Sequence, residues 1–156
     1  MKVIIIMGSE SDRTFAEKIT SEFDKYKIEY DIKVASAHKQ PLEVLEILKS
    51  NSNENGIVYI TIAGRSNALS GFVAANSDKP VIACPPFKDK IDMMVNINSS
   101  LLMPSKTPAS TVIDVSSAAL AALRSLNLQR LKATFRQEIQ DIKDSLIKAD
   151  DEIRNS

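Results

Sequence analysis

Three aliphatic, β-branched runs, each followed by a short polar loop and then a helix-like segment, limit this chain to very few architectures. Lys2–Met7 and Ile57–Ala63 are nearly continuous apolar runs, and Glu29–Val34 alternates. Continuous runs suit strands covered on both faces, whereas alternation suits a strand nearer an edge. Phe15, Ala16, Ile19, Phe23 and Tyr26 predict a helix over 13–26. Pro41, then Leu42, Leu45 and Leu48, predict a second over 41–50. Ala68–Ala75 reads as a short helix and Val81–Cys84 as a fourth strand stopped by Pro85-Pro86. Thr111–Ile113 reads as a fifth strand and Ser116–Leu126 as an alanine-rich helix. Residues 89–99 are ambiguous, with room for a short helix. Strands alternating with helices imply an α/β fold whose sheet is parallel, with right-handed crossovers.

The sequence has 156 residues, so one domain is the default. A domain of that size buries roughly 70% of its unfolded surface and needs no disulfide or metal to fold. Lys plus Arg and Asp plus Glu number 20 each. Zero net charge gives no electrostatic reason to expect nucleic acid or an anionic membrane as partner. The single cysteine, Cys84, cannot form an internal disulfide, and at a strand end before two prolines it reads as a core thiol. No apolar run approaches the ~20 residues that span a bilayer, and Val3–Met7 is too short for a signal core. The expectation is a soluble, cytoplasmic domain.

Leu128–Ile153 differs from the rest. Leu128, Leu131, Phe135, Ile139, Ile142, Leu146 and Ile153 recur at steps near three and four, with charges between. This predicts one long amphipathic helix, whose stripe exceeds what a small sheet can cover. Part of it is expected to meet another subunit. The alternative is that it folds wholly onto its own sheet.

Ligands of open parallel sheets bind beyond the carboxyl ends of the strands. Three loops are expected there. In the first, Gly8 permits close approach to the backbone, while Ser9 and Ser11 offer hydroxyls beside the free amides of a helix start. Asp12 suits ribose hydroxyls better than phosphate, since like charges repel. Plain helix capping by Ser or Asp is the competing reading. The second loop, Ser36-Ala37-His38-Lys39, holds the only histidine. An imidazole can give and take a proton near neutral pH, and Lys39 supplies a point charge for phosphate. A lone histidine can equally be structural. In the third loop, Gly64-Arg65-Ser66-Asn67, the guanidinium can hold an anion bidentately, and Asn67 can donate to a developing anion or cap the next helix. With one histidine, one cysteine and no carboxylate cluster at ligand spacing, no metal site is expected.

Together, Gly-Ser-Glu-Ser-Asp, Ser-Ala-His-Lys, Ala-Gly-Arg-Ser-Asn-Ala-Leu-Ser-Gly and Val-Ile-Ala-Cys-Pro-Pro resemble, in order and spacing, the phosphoribosylaminoimidazole carboxylases of the PurE family. The resemblance runs from Lys2 to at least Leu126. It is closest to the class II branch, because Gly64-Arg65-Ser66-Asn67 stands where class I members carry a second histidine. It implies a flavodoxin-like three-layer α/β/α sandwich, with a parallel five-stranded sheet in residues 1–126 and the terminal helix in 127–156. It also implies a homo-octamer with active sites at subunit junctions. The implied activity is that of a carbon–carbon lyase of purine biosynthesis, joining carbon dioxide to 5-aminoimidazole ribonucleotide to give 4-carboxy-5-aminoimidazole ribonucleotide. No ATP, other cofactor or metal is implied. By position, Gly8, Ser9, Ser11, Ser36 and Lys39 would hold phosphate and Asp12 the ribose. His38 would move the proton at ring carbon four, and Gly64, Arg65, Ser66 and Asn67 would line the base and carbon dioxide end.

The chain departs from that pattern at Leu102 and Lys106, where class II members usually have arginine and glycine. Two rival functions remain: the class I mutase reaction of the N5-carboxylated ribonucleotide, and a non-catalytic ribonucleotide-binding relative. A receiver domain is excluded, since Gly8-Ser9 and Ala63-Gly64 occupy the places of its acidic residues. A flavodoxin-type carrier would need aromatic residues around a flavin, and this chain has no Trp and three Tyr.

Overall fold

The computed structural model describes residues 1–155 and divides into two units, residues 1–126 and residues from 127 onward. In the first unit, β1 (Lys2–Met7), β2 (Glu29–Val34), β3 (Ile57–Ile62), β4 (Val81–Ala83) and β5 (Ser110–Thr111) form one sheet in the order β2-β1-β3-β4-β5. All four pairings are parallel. Between and after them lie α1 (Arg13–Lys25), α2 (Pro41–Ser50), α3 (Ala68–Ala75), α4 (Lys90–Leu101) and α5 (Val115–Leu126). The first unit is therefore a flavodoxin-like three-layer α/β/α sandwich. Right-handed crossovers explain the layering: the connection running from β1 outward to β2 puts its helix on one face, and those running back across the sheet put theirs on the other.

The strands at the centre are apolar on both sides because both sides are covered. Ile4 and Ile6 of β1, with Ile57 and Tyr59 of β3, pack with Val44, Leu48, Leu69 and Val73 of α2 and α3. Val3, Ile5 and Met7, pointing the other way, are also fully buried. α1 and α5 lie together and bury Ile19, Phe23, Ala118, Ala122 and Leu123. β2 is an edge strand and has the partly exposed pattern that its alternation predicts.

Three boundaries differ from the sequence reading. The ambiguous stretch is a full helix, α4, opened by Asp89, whose carboxylate accepts the N–H groups of Ile91 and Asp92 at 2.9 Å each. β5 is only Ser110–Thr111, since the chain turns away before Ile113. In the second unit the long helix, α6, covers Lys132–Arg154 and is preceded by a single 3-10 turn over Gln129–Leu131. Along α6, Ile139, Ile142, Leu146 and Ile153 are exposed. Among the described residues no helix is long and apolar enough to cross a membrane.

Candidate active site

Strand order reverses at β1, with β2 on one side and β3 on the other. Loops leaving such a point diverge and open a crevice. A cleft of about 820 Å³ lies there, lined by the loops after β1, β2, β3 and β4 and by one edge of α4.

From the first loop come Gly8, Ser9, Ser11 and Asp12. Gly8 donates its N–H to the Ile62 carbonyl at 2.8 Å, tying this loop to the end of β3. Ser9 caps a 3-10 turn over Glu10–Asp12: its hydroxyl accepts the Ser11 N–H at 3.3 Å and lies 2.8 Å from Ser11 Oγ. Capping therefore belongs to Ser9. Asp12 precedes α1 but makes no capping bond, and its half-buried carboxylate faces the cleft. Burial holds that carboxyl above the usual Asp range. Glu10, the other acid of the loop, is paired with Arg13 at 2.5 Å.

From the second loop come Ser36, His38 and Lys39. The loop is a self-contained turn. Ser36 accepts the Lys39 N–H on its hydroxyl at 3.3 Å and the Gln40 N–H on its carbonyl at 2.7 Å. The Ser36 hydroxyl keeps its own proton to donate. The imidazole of His38 is exposed on the turn.

The third loop contributes Gly64, Arg65 and Ser66. Arg65 has φ +57°, the left-handed region, which is unfavourable by ~1–2 kcal/mol for a residue with a Cβ. Its peptide is held from α4: Asn96 Oδ1 accepts the Arg65 N–H at 2.9 Å, and Ser99 Oγ donates to the Arg65 carbonyl at 2.6 Å. Asn67 does not join the cleft, contrary to expectation. It is buried and caps α3, accepting from Ser70 N and Oγ while its amide donates to Ser100 Oγ at 2.8 Å. Its side-chain oxygen and one of its two amide N–H groups are engaged in holding the loop.

Sequence reasoning missed the fourth wall. Pro86, Phe87 and Lys88 follow β4, and Asp92 and Asn96 come from α4. Asp92 accepts the Lys88 N–H at 3.0 Å, which fixes that loop to the helix. The available signal was polar Asn96, Ser99 and Ser100 at helical spacing, a stripe opposite the apolar one. Cys84 is fully buried, and burial, aided by the Asp114 charge, pushes its thiol up to about 12. It is protonated at neutral pH and is no nucleophile. Among the described residues, no group of three His, Cys, Asp or Glu could hold a metal ion.

The cleft thus gathers one imidazole, three cationic side chains (Lys39, Arg65 and Lys88), several serine hydroxyls and two carboxylates, Asp12 and Asp92. Such a set suits a small anionic molecule and one proton transfer. A model of the AIR carboxylase family matches residues 2–148. The chain belongs to that family. It is 43% identical to a phosphoribosylaminoimidazole carboxylase of Archaeoglobus fulgidus, over 99% of this chain and 86% of that one. It is 40% identical to an N5-carboxyaminoimidazole ribonucleotide mutase of Methanocaldococcus jannaschii, over 83% and 80% of the two chains. The crystal structure of Treponema denticola PurE superimposes with a TM-score of 0.86 at 41% identity, covering 96% of each chain. Both activities named among AIR carboxylase relatives are thus found on similar chains.

Proposed function

We propose that this AIR carboxylase family member joins carbon dioxide to carbon four of 5-aminoimidazole ribonucleotide, as a class II enzyme. Ser9, Ser11, Ser36 and Lys39, with the backbone at Gly8, hold the phosphate, and Asp12 accepts from the ribose hydroxyls. Gly64, Arg65 and Ser66 line the end where the ring meets carbon dioxide. The observation that carries this reading is the sharing of one cleft by His38, Arg65 and the serine loops.

The aminoimidazole is an enamine and attacks carbon dioxide without covalent help. Carbon four then bears both a hydrogen and a carboxylate, and a base must remove that hydrogen to restore aromaticity. His38 takes it, and gives it back in the decarboxylating direction. The Arg65 guanidinium is suited to the new carboxylate. The test is spectrophotometric: the purified protein is expected to decarboxylate 4-carboxy-5-aminoimidazole ribonucleotide and, with bicarbonate as the carbon dioxide source, to carboxylate the aminoimidazole. Ribonucleotide binding without carbon dioxide exchange overturns the reading.

The mutase reaction is the second reading, favoured by the 40% identity to the Methanocaldococcus jannaschii protein of that name. Against it stands Gly64-Arg65-Ser66-Asn67 in place of a second histidine. Turnover of the N5-carboxylated substrate with no bicarbonate requirement identifies the mutase.

Residues 1–156 act as one domain in this proposal, with α6 at a subunit interface of a homo-octamer. Support comes from the exposed stripe of α6 and from Ile91, Met94 and Val95, exposed on α4. Light scattering of the intact chain, 17.2 kDa per subunit, measures the number.

A further inference from the structure

α4 is built inside out. Its buried side chains are Asn96 and Ser100, while Ile91, Met94 and Val95 point outward. A helix that turns polar groups inward needs partners for them, because a buried polar group without a hydrogen bond is unfavourable. Those partners are one loop. Asn96 accepts from Arg65 N–H at 2.9 Å, and Ser99 donates to Arg65 C=O at 2.6 Å and accepts from Asn67 N–H at 3.0 Å. The Ser99 proton has an alternative acceptor in the Asn96 carbonyl at 2.9 Å, which the shorter Arg65 contact outcompetes. Ser100 accepts from the Asn67 amide at 2.8 Å.

Both ends of the Arg65 residue are thus gripped by side chains 31 and 34 positions away. This residue is also the one in the cleft with a left-handed backbone. A non-glycine residue persists in that region only where its surroundings over-determine it, and such positions cluster where a side chain must be aimed. Behind the loop, the grip is continued by buried hydroxyls: Ser70 Oγ donates to Asn67 Oδ1 at 3.0 Å, and Thr61 Oγ1 lies 2.8 Å from Ser70 Oγ. The anchor therefore reaches β3 at the centre of the sheet.

We propose that Asn96 is a positioning residue: by accepting the Arg65 N–H it holds the left-handed backbone that aims the Arg65 guanidinium at the carboxylate formed in the cleft, with Ser99 as its second jaw. The inference rests on the carboxylation assigned above. It makes the cation at the reacting end depend on α4.

Asn96→Ala removes the acceptor, and Asn96→Asp keeps an oxygen in the same place. In Asn96→Ala the expected result is a fall in kcat of about 10- to 100-fold, since a displacement of ~1 Å at a reacting group costs on that order. The KM for the ribonucleotide stays within about twofold, because the phosphate and ribose contacts lie on other loops. Hydrogen exchange of the Arg65 amide accelerates at least about tenfold, while amides of β3 and α3 keep their protection. Asn96→Asp recovers most of both. Should Asn96→Ala fail to fold, Ser99→Ala gives the same pattern at smaller amplitude. Wild-type kcat with wild-type exchange at Arg65 overturns the proposal. So does a rise in ribonucleotide KM with unchanged kcat, which would make Asn96 a direct binding residue. A wild-type protein that carboxylates nothing defeats the functional reading instead, and the exchange measurement then still decides whether Asn96 holds Arg65.

Discussion

The loops after β2 and β3 reach the same cleft by opposite means. The His38 loop is held by its own residues, Ser36 to Lys39 and Gln40, all within four positions. The Arg65 loop is held by Asn96 and Ser99, on a helix that enters the chain one strand later. A local turn can be read from neighbouring residue types. A turn gripped from a distance cannot, because its geometry belongs to residues whose proximity exists only after folding. The lesson extends to what each loop can bear: His38 is exposed and should be replaceable without loss of stability, whereas the third loop is structural as much as chemical.

The largest effect expected is on turnover. A positioned general base contributes roughly 10²- to 10⁴-fold. His38→Asn should therefore lose at least ~10²-fold in carboxylation and decarboxylation rates, while unfolding in urea shifts by less than ~0.5 kcal/mol, as for exposed sites. A variant that turns over normally would remove His38 from the chemistry. Asn67→Ala should invert that ranking. It strips a helix cap and leaves Ser100 Oγ and Ser70 N–H buried without their partner, so a loss of about 2 kcal/mol in stability is expected from denaturant unfolding. Unchanged stability would mean that the long-range grip is no stronger than the local one.

Asp114 tests a purely local device. Its carboxylate accepts the Ser117 N–H at 2.7 Å, as an N-cap of α5 does. Hydrogen bonds to the side chain and backbone of Ser117 hold its pKa below the usual range. A folded pKa below the unfolded one adds stability that is present above the unfolded carboxylate pKa and lost as pH falls through the folded value. Asp114→Ala should thus cost about 1 kcal/mol at neutral pH, and thermal scans of the two proteins should converge in acid. A pH-independent gap would show that the charge contributes nothing. The smallest effect concerns Lys106, exposed with φ +63° in the loop after α4. Glycine has no Cβ to strain there but loses more entropy on folding. Lys106→Gly should raise stability by roughly 0.5 kcal/mol. A clear loss would mean that the lysine ammonium has a compensating contact.

Most of the sheet was legible because β1 and β3 are apolar on both faces and their loops carry Gly and Ser where the chain must turn. The catalytic candidate His38 was legible for the same reason: it follows a strand and precedes a proline-started helix. α4 was not. Periodicity assigns the apolar face of a helix to the core, and here Ile91, Met94 and Val95 face out while Asn96 and Ser100 face in. The fourth wall of the cleft was lost with it. Asn67 admits two readings from sequence, a ligand contact or a helix cap; the structure buries it at the cap of α3, with its Oδ1 accepting from Ser70 and its amide donating to Ser100.

By themselves, the residues along the chain determined that strands and helices alternate, that the sheet is parallel, and that three polar loops leave its carboxyl edge, because these depend on short-range patterns of apolar spacing and turn chemistry. Only the tertiary structure decided which side chains aim Arg65 and which polar groups are taken up in holding the loop. Those outcomes depend on hydrogen bonds between residues more than 30 positions apart, whose geometry exists only once β3, α3 and α4 have packed together.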